Sequence, residues 1–209
     1  VYQVSGMSRP ALLAEYVDPD FGGCIKRVTD AVALGTETAT ITFSELQAWN
    51  SDQTLILLTS GQILDATTYE LKHTINFGWP GWGAGIRWSP TEPLNLYYLG
   101  ELQDASGDGI ACGMNQARLM RHRLIPGTPM TSSKELVKCF TEYTKFDSNK
   151  SFQEMSANGR YIALVSLSND AFLFDMQTLT KMAVVVVPAA PMEWAEPSAL
   201  GEYLLIFFG

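Results

Sequence analysis

The stretch richest in groups that can do chemistry runs from Gly100 to Asn115, where Asp104, Ser106 and Asp108 alternate among glycines. Hard oxygen ligands at that spacing can wrap a Ca²⁺ ion. The pattern departs from an EF-hand loop, because no Glu closes it at the twelfth position. The plainer expectation is a solvated acidic turn, with no cofactor. Just beyond lie Arg118, Arg121 and Arg123, the only local basic cluster. Guanidinium forks of that kind can grip the carboxylates of an acidic polysaccharide, although such charges more often form a solvated strand face. Trp79 and Trp82 sit in the glycine-rich run Phe77–Gly85. Their rings can stack on sugars or pack between neighbouring elements. Ligand contacts are therefore expected from Trp79, Trp82, Arg118, Arg121, His122 and Arg123, and the metal alternative rests on Asp104, Ser106 and Asp108.

Catalytic signatures are sparse. His73 falls within a strand-like run and His122 lies between two arginines; neither shows an orienting carboxylate nearby, so both read as strand or surface histidines. No Gly-x-Ser-x-Gly elbow, phosphate loop or dinucleotide fingerprint occurs. Cys24, Cys112 and Cys139 contain no C-x-x-C pair. They read as buried or free thiols, with a Cys112–Cys139 bridge closing an extended loop as the alternative.

The elements that hold these groups show a hidden repeat. Segments beginning at Trp49, Trp88, Met155 and Trp194 each have a large apolar residue, a polar turn and an apolar strand. The anchors are separated by 39, 67 and 39 residues. The two equal spacings approach the ~40–45 residue period of propeller blades. The middle one carries the excess expected of an insertion, placed at residues 100–116. A second recurrence, Ile63-Leu64-Asp65-Ala66-Thr67-Thr68 and Leu173-Phe174-Asp175-Met176-Gln177-Thr178, reads as a strand running into an Asp-stabilised turn. Each unit is thus strand, turn, strand, loop, strand, turn, strand. Such a sheet buries both faces only by stacking against its neighbours.

On Ser156-Ala157-Asn158-Gly159-Arg160-Tyr161-Ile162-Ala163-Leu164, Trp88-Ser89-Pro90 and Phe174-Asp175, the sequence resembles the WD40-like and TolB-type β-propellers, including bacterial carbohydrate-associated members. It lacks the Gly-His…Trp-Asp pair of a strict WD40 repeat. The resemblance implies an all-β chain of four-stranded antiparallel blades, about three to four of them in an incomplete ring. The boundaries expected are an N-terminal extension over 1–23 and blades over about 24–78, 79–146, 147–188 and 189–209. Leu204–Gly209 ends the sequence in a strand-like run, so missing C-terminal blades or self-association of copies is expected to complete the ring.

Locally, Ser8–Tyr16 reads as a short helix, Leu136–Tyr143 as an outer strand in preference to a capped helix, and Val184–Val187 as a buried inner strand.

Composition narrows the rest. The 209 residues carry a formal net charge of −8, with 46% hydrophobic and 17% charged residues. Low charge with abundant aromatics argues against disorder, and an acidic balance argues against a nucleic-acid partner. No apolar run approaches the ~20 residues of a membrane helix. The functional expectation is a noncatalytic scaffold binding a protein or a polysaccharide through a loop face. The alternatives are a carbohydrate-active lyase or hydrolase, or a structural subunit of an extracellular assembly. An extracellular or periplasmic location is expected from low charge and a non-Met start.

Overall fold

The structure, a computed structural model, describes residues 10–37, 39–41, 47–75, 86–100, 112–113, 116–147, 150–151, 155–186 and 192–208. These residues form fifteen strands in separate antiparallel sheets, with no helix among them. An N-terminal hairpin joins β1 (Glu15–Val17) to β2 (Cys24–Lys26). Blade I contains β3 (Leu55–Leu57), β4 (Gln62–Asp65) and β5 (Leu71–Thr74). Blade II contains β6 (Arg87–Trp88), β7 (Asn95–Gly100), β8 (Ala117–Ile125) and β9 (Thr131–Phe140). Blade III contains β10 (Tyr161–Val165), β11 (Asp170–Asp175) and an interrupted outer strand made of β12 (Thr180–Lys181) and β13 (Val185–Val186). Both outer pieces pair with β11. Blade IV contains β14 (Met192–Pro197) and β15 (Leu204–Phe208). Single bridges, Trp49 to Ile56 and Met155 to Ile162, add an inner edge to blades I and III.

The core is a series of slabs, each between successive sheets. Along β10, Ile162 and Leu164 pack against blade II, while Ala163 and Val165 pack against blade IV. Along β3, Leu55 and Leu57 face blade II, and Ile56 faces the segment carrying Leu34 and Ala39. Successive residues of a strand point to opposite faces. A sheet covered on both sides therefore needs the unbroken apolar runs Leu55–Leu58 and Ile162–Val165. The slab between blades II and III is aromatic. Phe140 meets Phe146 edge-on at 4.9 Å and Phe174 at 5.1 Å, and Tyr143 stacks on Phe172 at 5.6 Å. The slab between blades III and IV uses small residues, Ala163, Ala171 and Ala195.

One device repeats at the inner turn of every blade. The Asn50 side-chain oxygen accepts from the Thr54 and Leu55 amides at 2.9 Å. Ser89 accepts from Glu92 at 3.1 Å, Ser156 from Tyr161 at 2.8 Å, and Ser198 from Glu202 and Tyr203 at 3.1 Å. In each case the amide of the polar residue donates back to the strand that follows. This equivalence moves the fourth anchor from Trp194 to Pro197, next to Ser198. Trp194 lies earlier in β14 and stacks on Phe207 at 4.9 Å. The turn also requires one left-handed residue, Gln53, Gly159 or Gly201 in blades I, III and IV. At Gly201 the requirement is doubled: φ is +73°, and a Cβ would sit 2.0 Å from the Tyr161 ring of blade III.

The second recurrence is the Asp turn. Asp65 Oδ1 accepts from the Thr67 and Thr68 amides at 2.9 Å, and Asp175 Oδ1 from Gln177 and Thr178 at 2.9 and 3.2 Å. Arg160 donates to the far oxygen of Asp175 at 2.7 Å, and this pairing holds the carboxyl down to about 2.

Two local expectations are corrected. Within 8–16, the described residues carry a bridge at Leu12 and then β1, because Leu13 adopts φ +63°, which a right-handed helix does not tolerate. Val184–Val186 is the exposed outer edge of blade III, with Val186 72% accessible; Val187 lies outside the described residues. Its apolar run reflects neither slab. The strand reading of Leu136–Tyr143 agrees with β9, which ends at Phe140.

Candidate functional site

The long connection of the repeat is the one between β7 and β8, from Gly100 to Ala117. Cys112 is disulfide-bonded to Cys139 of β9, with Cα atoms 5.9 Å apart. The alternative of a bridge is thus the arrangement present, and the reading of these two as free thiols is corrected. Cys24 is free and exposed. The bridge ties the end of the connection to the outer strand of its own sheet. Gln116 reinforces it by accepting from the Gly113 amide at 2.9 Å.

Strand alternation divides the basic cluster. Cross-strand pairs Leu96–His122, Tyr98–Met120 and Gly100–Arg118 place Arg118 and His122 on the face turned toward blade I. Arg121 and Arg123 belong to the opposite face. Arg121 is ion-paired with Glu135, its Nε donating at 3.0 Å, and Arg123 is exposed. The structure therefore brings together Arg118 and His122 and separates them from Arg121 and Arg123. Trp79, Trp82, Asp104, Ser106 and Asp108 lie outside the described residues. Among the described residues, no group of three or more His, Cys, Asp or Glu side chains is placed to hold a metal ion.

The face that holds Arg118 and His122 contains polar groups that sequence reasoning did not bring to the site. Tyr98 and His122 are both almost fully buried, and their rings stack at 5.1 Å. His73 of β5 shares a 2.9 Å hydrogen bond with Ser132 of β9, linking the outer strands of blades I and II. Lys134 pairs with His122 across the β8–β9 ladder. Arg118 is 1% accessible. Its stem lies over Gly100, where a Cβ would meet Arg118 Cγ at 2.7 Å and Met120 Cγ at 2.9 Å. Its Nη2 donates to the Gly113 carbonyl at 3.2 Å, whereas Nε and Nη1 have no hydrogen-bond partner among the described residues. Tyr98, Gly100 and Lys134 join the site only through the registers of β7 and β9, which need the pairing of distant strands.

Burial pushes the His122 imidazole down to about 4, and the positive charge of Lys134 and then of His73 adds to the effect. A histidine with its ordinary value of 6.5 in the unfolded chain takes up a proton as pH falls from 6.5, and the folded chain does so only near 4. The contribution of neutral His122 is complete above pH 6.5 and is lost on acidification toward pH 4. Its full extent is about 3 kcal/mol. Urea unfolding at pH 7 and pH 4.5 is expected to show a loss of about 2 kcal/mol in the wild type beyond that in His122→Leu. Equal losses in the two proteins would refute this account.

No protein-family model matches the chain, and no curated protein does. Among solved structures, the β-propeller domain of Cps50 (Swd1) from Myceliophteria thermophila is similar, with a TM-score of 0.50 at 14% identity over 92% of this chain. The chain spans 61% of the length of that protein chain. The likeness shows a β-propeller fold. Among the described residues, no helix is long and apolar enough to cross a membrane.

Proposed function

We propose that this chain is a noncatalytic β-propeller scaffold that binds a protein partner on the loop face from which the β7–β8 connection departs. The observation that carries the reading is the base of that connection, fixed covalently by Cys112–Cys139 above a platform of stacked sheets. Long loops on a rigid scaffold are where recognition residues concentrate. Equivalent second-to-third-strand turns of blades I and III, at Leu58–Gly61 and Ser166–Asn169, lie on the same face. The disulfide also supports an exported, extracellular or periplasmic location, because such bonds persist in oxidising compartments.

The test places a photo-crosslinking residue at Leu167, exposed on this face, and separately at Gln177, exposed at the opposite end of blade III. A discrete protein adduct from position 167 and none from 177 is expected in the native setting. Adducts from 177 alone, or from neither, would count against the reading. Products released from acidic polysaccharides by the purified chain would move it to a carbohydrate-active enzyme.

A further inference from the structure

A guanidinium withdrawn from water is costly unless a counter-charge or a full set of hydrogen bonds meets it. Arg118 is 1% accessible and, among the described residues, makes one hydrogen bond, from Nη2 to the Gly113 carbonyl. Nε and Nη1 have no partner among the described residues. No carboxylate is paired with it among the described residues, whereas Arg121, three positions along the same strand, is neutralised by Glu135. The absence of a side chain at Gly100 is what lets the Arg118 stem lie flat on β7. The head is thereby held beneath Gly113, an exposed residue four positions short of β8.

We propose that Arg118 is the receptor for a single carboxylate, supplied by an Asp or Glu side chain of the protein partner. The proposal rests on the loop-face reading above and deepens it. Planar guanidinium and planar carboxylate match as a fork, two N–H donors to two oxygens. The unused Nε and the second hydrogen of Nη2 supply one such pair, and Nη1 with Nη2 supplies another. A ligand carboxylate reaches them by displacing the Gly113 carbonyl, which is replaced as acceptor by a stronger, charged one. An acidic polysaccharide is disfavoured by the same strand geometry. A polyanion needs an array of cations, and β8 turns Arg121 and Arg123 to the other face while Glu135 occupies Arg121.

The experiment follows the Arg118 Nε–H resonance in the folded chain during titration with N-acetyl-glutamate N-methylamide, its glutamine counterpart and polygalacturonate. A saturable shift with the glutamate probe, at least tenfold weaker with the glutamine probe, is expected, together with a shift of the Gly113 amide that is abolished for the same probe in Arg118→Lys, which keeps the charge, removes the fork and is followed through that amide alone. Equal response to the two amino-acid probes, or no response, overturns the proposal. Saturation by polygalacturonate alone overturns it in favour of a glycan. A carboxylate-bound Nε–H signature before any addition overturns it in favour of a carboxylate of this chain. Crosslinking from position 167 separates the two claims: an adduct that forms undiminished in Arg118→Lys sinks the carboxylate receptor and leaves the scaffold reading intact.

Discussion

Phe140→Ala is expected to lower stability by about 3–5 kcal/mol, the usual cost of removing a buried phenyl ring and leaving its cavity. Phe140 is 1% accessible and touches rings contributed from both sides of the slab between blades II and III: Phe146 at 4.9 Å, Phe174 at 5.1 Å and Phe172 at 6.1 Å. Aromatic pairs of this geometry add ~0.5–1.5 kcal/mol beyond the area they bury. The neighbours cannot collapse into the space, because Tyr143 is already stacked on Phe172 and held by Lys181, whose ammonium sits 4.9 Å from the Tyr143 ring and 2.8 Å from Glu142. The melting temperature should fall by on the order of 10 °C for a chain of this size. Phe140→Leu, which keeps most of the volume, should lose less than half as much. A Phe140→Ala variant within 1 kcal/mol of wild type, measured by urea unfolding, would show that blades II and III do not share this core.

Replacing both Cys112 and Cys139 by Ser is expected to cost roughly 3.5 kcal/mol, the chain-entropy value for a closed loop of this size. The two cysteines are 27 residues apart. The bridge spans the end of the β7–β8 connection, β8 and nearly all of β9, so it restrains the unfolded chain across most of the largest blade. Among the described residues, native contacts around it are few: Gln116 with the Gly113 amide and against the two sulfurs, and Arg118 with the Gly113 carbonyl. The effect should therefore appear equally on adding reductant to the wild type. Unfolding midpoints that coincide for oxidised wild type and the double serine variant would refute the assignment.

Much of this architecture was legible because its physical demands act on neighbouring residues. A strand sandwiched between two sheets must be apolar at every position, and Ile162-Ala163-Leu164-Val165 states that directly. The Asp65 and Asp175 turns are likewise local, since the carboxylate reaches amides two and three residues ahead. Reading failed where the decisive contact is remote. Trp194 looked like an anchor through its ring, yet the repeat is defined by the hydroxyl of Ser198 bonding across its turn. Val184–Val186 has the composition of a core strand, and only the order β10–β11–β13 reveals it as an outer edge. The arginines are one cluster in sequence; alternation along β8 and the pairing of Gly100 with Arg118 decide which of them face blade I. The bridge between Cys112 and Cys139 required the β8–β9 hairpin to bring its ends together.

The residue-by-residue division of each strand between two neighbours has a consequence for how such a chain can change over evolutionary time. Losing one residue inside β10 would hand Ile162 and Leu164 to the alanine-lined side and leave Ala163 and Val165 opposite the phenylalanines, an error that no single replacement repairs. Gaining or losing a whole module preserves every frame. Lineages descended from this sequence should therefore differ by entire blades or by loop length, and hardly ever by odd-numbered gaps within a strand.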